Sequence, residues 1–272
     1  MDMRTSCRGE PTDMTYDILP FPSSRNPIID GGYVAAKRHI IHGFLELDVT
    51  EARRILRNTI GSDGEPLSFT AFIVASFARA IQAHPQVQAF RDIRGRLVVF
   101  HNVDVSTLVE PSPGAVAIPH LIRNAHSRSV RDISEEIRGV QTNPHPWGKL
   151  ERFVKIGSRT PRFTRLLYMR ILQLNPQVFI KTAGTTTVSS IGMFGKRGGW
   201  GIGFLAYHTI GLLVGGIADT PIAYEGTIAL RECLHVTVSF DHDIVDGAPA
   251  ARFARAFADV VENANVLENE IQ

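Results

Sequence analysis

Between Leu234 and Val261 the sequence changes its period. Leu234-His235-Val236-Thr237-Val238-Ser239-Phe240 alternates apolar and polar residues, the two-residue repeat of a half-buried strand. Asp241 to Asp246 then forms a short acidic turn. Beyond Gly247 the apolar residues Phe253, Ala254, Phe257, Val260 and Val261 fall on one face of an Ala-rich helix. A strand that feeds a helix through so short a turn is a rigid junction, and His242 sits inside it. An imidazole changes charge close to neutral pH, so a histidine held there can serve as a general base. A core histidine or an ordinary loop residue fits the same spacing.

The rest of the chain mixes helices and strands. Residues 1–24 are polar and carry Pro11, Pro20 and Pro22, as a flexible arm does. A strand over Gly43 to Val49 leads to Thr50, a helix N-cap candidate, with Arg53, Arg54 and Arg57 facing solvent. Phe69, Phe72, Ile73, Phe77, Ala80 and Ile81 recur at helical spacing, with Ser68 as cap and Pro85 as stop. A turn around Gly95 precedes strands over Leu97 to Phe100, Val103 to Leu108 and Ala115 to Ile122. Ser129 to Val140 reads as an amphipathic helix. Three strands are expected late in the chain, over Ile210 to Ile217, Ile222 to Leu230 (turning at Glu225-Gly226) and Leu234 to Phe240. Without strict βαβ alternation, the expected fold is an α/β two-layer sandwich on a mixed sheet, not a doubly wound one.

Composition excludes several classes. With 272 residues and 44% hydrophobic content the chain can bury a substantial core. A formal net charge of +2 gives no reason to expect nucleic acid. No zinc spacing, P-loop or dinucleotide fingerprint occurs. No apolar run is long enough for a transmembrane segment or a secretory signal. Cys7 and Cys233 are too few for a disulfide framework, and reduced thiols in a cytoplasmic protein are the simpler reading.

Asp241 through Phe253 reads DHDIVDGAPAARF. It resembles the HxxxDG signature of CoA-dependent acyltransferases, and most closely the catalytic cores of dihydrolipoamide acyltransferases within the chloramphenicol acetyltransferase-like superfamily. Gly184-Thr185-Thr186-Thr187-Val188-Ser189-Ser190-Ile191-Gly192-Met193-Phe194-Gly195 is similar to a second motif of that family. The order of elements agrees over roughly residues 40–265. The resemblance implies a catalytic domain over 25–272 that takes coenzyme A as acyl-CoA substrate. It implies an acceptor thiol such as a dihydrolipoyl group, carried in trans, because no lipoyl or partner-binding domain is visible here. It also implies a homotrimer or larger assembly, with the histidine of one subunit facing the serine segment of the next.

Transfer between thiols needs a base, since a thiol of pKa near 8.5 is mostly protonated at pH 7, and a donor for the developing oxyanion. By resemblance His242 is the base and Ser189 the donor. Ser190 stands where the family usually has Asn, so the two serines could exchange roles. Ser190 and Gly192 are expected on the CoA side. Asp246 invites a Ser-His-Asp reading, but the resemblance makes it a structural anchor for an arginine near the N-terminus, with Arg25 the candidate and Gly247 opening the helix. Asp243 replaces the usual arginine and would raise the His242 pKa if it lay beside the imidazole. A metal site at Asp241, Asp243 and Asp246 is disfavoured, because a calcium loop needs a ligand where Val245 stands. His39 and His42 read as structural; His101, His208 and His235 as strand or loop residues.

Residues 141–182 fit the family poorly. Between Lys149 and Lys181 eight Lys and Arg stand against Glu151 alone. A basic amphipathic helix is expected around Phe163 to Leu172. It could pack on the core, line a phosphate-facing wall through Arg162, Arg165 and Arg170, or dock an anionic surface. Beside the dihydrolipoyl reading, two others fit the chain: acylation of a small-molecule hydroxyl or amine, and a non-catalytic scaffold core.

Overall fold

The computed structural model describes residues 16–62, 64–92, 94–109, 118–142, 160–191 and 198–270. A six-stranded mixed sheet forms its centre, built from β1 (Ile40–Asp48), β4 (Val105–Val109), β5 (Ile118–Ile122), β6 (Thr186–Ser190), β7 (Ile210–Tyr224) and β8 (Thr227–Asp241). Their order is β1-β8-β7-β6-β4-β5. Pairing is antiparallel except where β6 runs parallel to β4 and to β7. The helices are α1 (Asn26–Ala35), α2 (Thr50–Asn58), α3 (Phe69–Ala83), α4 (Val130–Thr142), α5 (Arg162–Leu174), α6 (Pro176–Ala183) and α7 (Gly247–Glu262). A small hairpin, β2 (Phe90–Arg91) and β3 (Leu97–Val98), stands apart.

The mixed-sheet sandwich is as expected, and its core explains why α3 had the clearest helical pattern. The helix is buried on almost every side. Ser68 caps it by accepting from the Ala71 amide. Phe77 meets Phe253 and Phe257 of α7 edge-on at 5.7 and 5.5 Å, and Phe240 of β8 meets Phe253 at 5.8 Å. Each such ring contributes about 2 kcal/mol by burial alone. The cluster therefore locks β8 and α7, the two elements that carry the His242 turn between them.

Three expectations need correction. The expected strand over 222–230 is divided at its turn. Residues 222–224 end β7, and 227–230 run on unbroken with 234–240 as β8, because the polar break between them is neutralised: Arg231 pairs with Asp48, and Glu232 with Arg53 and Arg57. Two of the arginines expected to face solvent are thus spent on the sheet. β7 likewise continues through Pro221, where among the described residues β6, paired with β7 only from Gly211 to Val214, no longer covers its outer edge and the missing amide costs little. Thr50 is not the cap of α2 but its first residue; its hydroxyl and amide both bond Asp48 Oδ1, at 2.6 and 3.0 Å. The expected turn at Glu225-Gly226 is present, both residues having positive φ (49° and 78°), as a two-residue primed hairpin requires.

Residues 1–15 of the expected arm, 115–117 of the expected strand and 143–159 of the basic segment lie outside the described residues. Among the described residues no helix is long and apolar enough to cross a membrane.

Candidate active site

Asp241 ends β8, and its side chain organises the turn that follows. Its Oδ2 accepts from Arg38 Nε at 3.0 Å and also from Arg38 Nη2. Its Oδ1 accepts from the Asp243 amide at 3.2 Å, and its carbonyl accepts from the amides of Ile244 and Val245. Arg38 reaches on to the Leu205 carbonyl. The His242 amide donates to the His39 carbonyl at 2.7 Å, which ties the turn to the start of β1. The backbone of His242 is thus fixed from both sides while its side chain is exposed. Among the described residues nothing hydrogen-bonds the imidazole.

The arginine anchor implied by resemblance is not the one present. Arg25 and Asp246 are both exposed and, among the described residues, form no ion pair. The pair at this loop is Arg38 with Asp241, whose side chains are only 15% and 8% exposed. A carboxylate in a tight turn is best neutralised from the adjoining strand edge, and Arg38, two residues before β1, is held there; Arg25 precedes α1. Asp243 turns away from His242 and bonds His39 Nδ1 at 2.9 Å. The acidic cluster of the sequence is thereby split three ways, and among the described residues no group of three His, Cys, Asp or Glu could hold a metal.

Ser189 and Ser190 close β6. The chain enters the strand from Gly184, whose φ of 78° and whose 2.7 Å gap from an added Cβ to the Asp104 carbonyl exclude any side chain. Thr185, Thr186 and Thr187 hydroxyls bond the backbone of Asp104, Ile210 and Ser106 respectively. Val188 points into the core, so Ser189 faces the opposite side of the sheet. Both serines are half-buried, and neither hydroxyl has a hydrogen bond among the described residues. Gly192 lies outside the described residues.

The structure does not bring Ser189 to His242 within one chain. Ser189 is level with Leu213 of β7, and Leu213 with Thr237 of β8. Five residues along β8 cover about 17 Å and two strand spacings add about 10 Å sideways, so the residues lie about 20 Å apart.

The outer face between them carries a histidine that sequence reasoning passed over. His235 Nε2 meets Glu46 Oε2 at 2.9 Å, its Nδ1 accepts from the Gly199 amide at 2.8 Å, and Trp200 packs on its ring at 4.1 Å. Gly199 also bonds the Gly216 amide at a bulge in β7. This clamp holds the chain on one side of residues 192–197. His208 is buried instead. Its Nε2 bonds the Ala183 carbonyl at 2.9 Å and its ring packs on Phe179, so it binds α6 to the sheet just ahead of Gly184. Burial pushes its pKa down to about 4.

The fold is that of CoA-dependent acyltransferases of the chloramphenicol acetyltransferase type. Chloramphenicol acetyltransferase itself superposes with a TM-score of 0.51 at 13% identity, over 86% of this chain and 94% of the other. A structure of Azotobacter vinelandii dihydrolipoamide acetyltransferase, concerned with a serine, a histidine and an asparagine in its catalytic mechanism, gives 0.69 at 18% identity, over 92% and 94%. The model of the 2-oxoacid dehydrogenases acyltransferase (catalytic domain) family matches residues 35–146 and 173–268, and the chain belongs to that family.

Curated relatives agree. The acetyltransferase component of the pyruvate dehydrogenase complex of Rickettsia bellii is 26% identical over 255 residues, 91% of this chain and 53% of that protein. The human mitochondrial succinyltransferase component of the 2-oxoglutarate dehydrogenase complex is 28% identical over 202 residues, 74% and 38%. The chain therefore spans about half the length of these relatives or less.

Proposed function

We propose that the protein transfers an acyl group between coenzyme A and a thiol of the dihydrolipoyl type, at a site shared by two copies of the chain. The observation that carries this reading is the His242 turn, a fixed backbone with an unbonded, exposed imidazole, in a chain of the acyltransferase family. Each half of the site exists in one chain, about 20 Å apart by strand spacing, and a second copy closes that distance. A homotrimer or larger assembly is the arrangement that provides it. The Azotobacter enzyme supports the assignment, since its serine, histidine and asparagine follow the same order as Ser189, His242 and Asp246.

The chemistry follows from the side chains. The acceptor thiol gives its proton to the His242 imidazole as its sulfur attacks the thioester carbonyl carbon. The carbonyl oxygen gains the electron pair and accepts a hydrogen bond from the Ser189 hydroxyl, worth on the order of 100- to 1000-fold in rate. Collapse re-forms the carbonyl and expels the CoA thiolate, which recovers the proton from the imidazolium. Asp246, whose side chain has no partner among the described residues, stands at the N-terminus of α7, where it is available to a neighbouring subunit, and Ser190 and Gly192 border the CoA side. A lipoyl group reaches this site on a separate protein or domain.

A second acceptor class, a small-molecule hydroxyl or amine, is favoured by one observation. Residues 147–172 fall between the two stretches matched by the family, and α5, which lies largely within that gap, walls a cavity beside the His242 turn. Thiol release from acyl-CoAs, measured with dihydrolipoamide, amines and alcohols as acceptors, separates the two. Turnover that needs both an acceptor and His242 supports acyl transfer. A folded oligomer that turns over none of the panel favours a scaffold.

A further inference from the structure

A cavity of about 790 Å³ lies between α1, α5 and the β2–β3 hairpin, and one end of it is formed by Asp241 and Ile244, on either side of the His242 turn. Its volume is that of a small-molecule site. α5 is firmly seated. Asp30, fully buried, binds Arg165 at 2.6 Å and Arg162 at 3.3 Å, and Tyr207 donates to the Met169 sulfur at 2.7 Å. Arg162 and Arg165 are thereby removed from the phosphate-facing wall expected from sequence, while Arg170 is presented to the cavity.

The charges in the wall are unbalanced. Both carboxylates are already neutralised, Asp241 by Arg38 and Asp92 by Arg96 together with two backbone amides. Lys37, Arg91 and Arg170 also line the cavity, and none has a carboxylate partner among the described residues. Lys37 pairs with neutral Tyr33, through its hydroxyl and through the ring, 4.2 Å from the ammonium. Three like charges that line one concavity give it a positive potential, which an anion bound there lowers. Between them Leu166, Met169 and Ile244 supply apolar surface.

We propose that this cavity binds a phosphate-bearing small molecule with an apolar segment, held by Lys37, Arg91 and Arg170. The proposal deepens the acyl-transfer reading by giving the anionic part of a substrate a seat beside the catalytic turn. It rests on that reading only for the step the ligand enters. Two sources share the chemistry, the nucleotide phosphates of the acyl donor and a phosphorylated acceptor.

The test is calorimetric titration of the intact protein with inorganic pyrophosphate, CoA and pantetheine. Lys37→Ala, Arg91→Ala, Arg170→Ala and the triple variant are compared with Arg94→Ala, an exposed arginine outside the cavity, as control. All three cavity positions are exposed, so folding should survive, as circular dichroism will verify. Each removal is expected to weaken pyrophosphate binding about 5- to 10-fold at low salt, with Arg94→Ala unchanged. CoA weakened in parallel, with pantetheine unaffected, assigns the site to the acyl donor. CoA unaffected, while pyrophosphate weakens, assigns it to an acceptor. Either result supports the site. Pyrophosphate that binds the triple variant as it binds the parent, or fails to bind the parent, overturns the proposal. Because the readout is binding, an absence of turnover would refute the acyl-transfer reading and leave the site standing.

Discussion

Replacing His208 by Gln should remove most of the acid sensitivity of the folded protein. His208 is 8% exposed, its Nε2 donates to the Ala183 carbonyl, and Phe179 covers its ring. Burial holds its folded pKa near 4, whereas an imidazole in the unfolded chain titrates near 6.5. Between those values the unfolded state binds more protons, so acid favours unfolding. The contribution is fully present above about pH 6.5 and is lost as pH falls toward 4. From pH 7 to pH 5 the loss should be about 2 kcal/mol, which lowers the melting temperature by roughly 4–8 °C. Gln keeps a donor for Ala183 but takes up no proton. His126, also held below its usual value by burial, adds a smaller slope of the same sign that the variant retains. The assay is thermal unfolding by circular dichroism from pH 7 to pH 5 at fixed protein concentration. A His208→Gln variant whose melting temperature falls as steeply as the parent's would refute the reasoning, whatever its absolute stability.

Arg38→Ala leaves the nearly buried Asp241 carboxylate with only the Asp243 amide, and should cost about 2–4 kcal/mol. Urea unfolding will show it, and Arg38→Lys should restore part of the loss; a melt unchanged in Arg38→Ala would mean the pair does not hold the turn. Gly184→Ala meets the Asp104 carbonyl and a backbone conformation (φ 78°, ψ −175°) that only glycine adopts readily, so it should destabilise by about 3 kcal/mol and lower activity through displaced β6. Asp246→Asn removes a carboxylate that has no partner among the described residues, and should change the unfolding free energy by less than about 1 kcal/mol; a larger loss that tracks dissociation in light scattering would place its partner on another subunit.

The junction at Leu234 to Val261 was legible because both periods are set by neighbouring residues, as was α3, where Ser68 and Pro85 mark the ends. The turn at Glu225-Gly226 was legible because few sequences accept two positive φ values in a row. What could not be read depends on partners far along the chain. Arg231 and Glu232 look like a strand end until Asp48, Arg53 and Arg57 are seen beside them. The same holds for the site. His242, Ser189 and the acidic turn stood out as motifs, but nothing local shows that Asp241, 203 residues from Arg38, is the anchored carboxylate. Arg162 and Arg165, two of the three arginines of α5, looked like part of a free basic face because Asp30, their buried partner, lies 135 residues from Arg165.

The central claim is that His242 of one copy works with Ser189 of another, and subunit mixing tests it most directly. His242→Ala and Ser189→Ala, each expected to lose about 100-fold or more in activity, are co-expressed with different tags and the mixed oligomers isolated. In a trimeric ring where each site takes one residue from each of two adjacent chains, every mixed trimer rebuilds one site in three, so the isolated mixed trimers should recover about a third of the parent's activity. Mixed oligomers no more active than either variant alone would contradict the account.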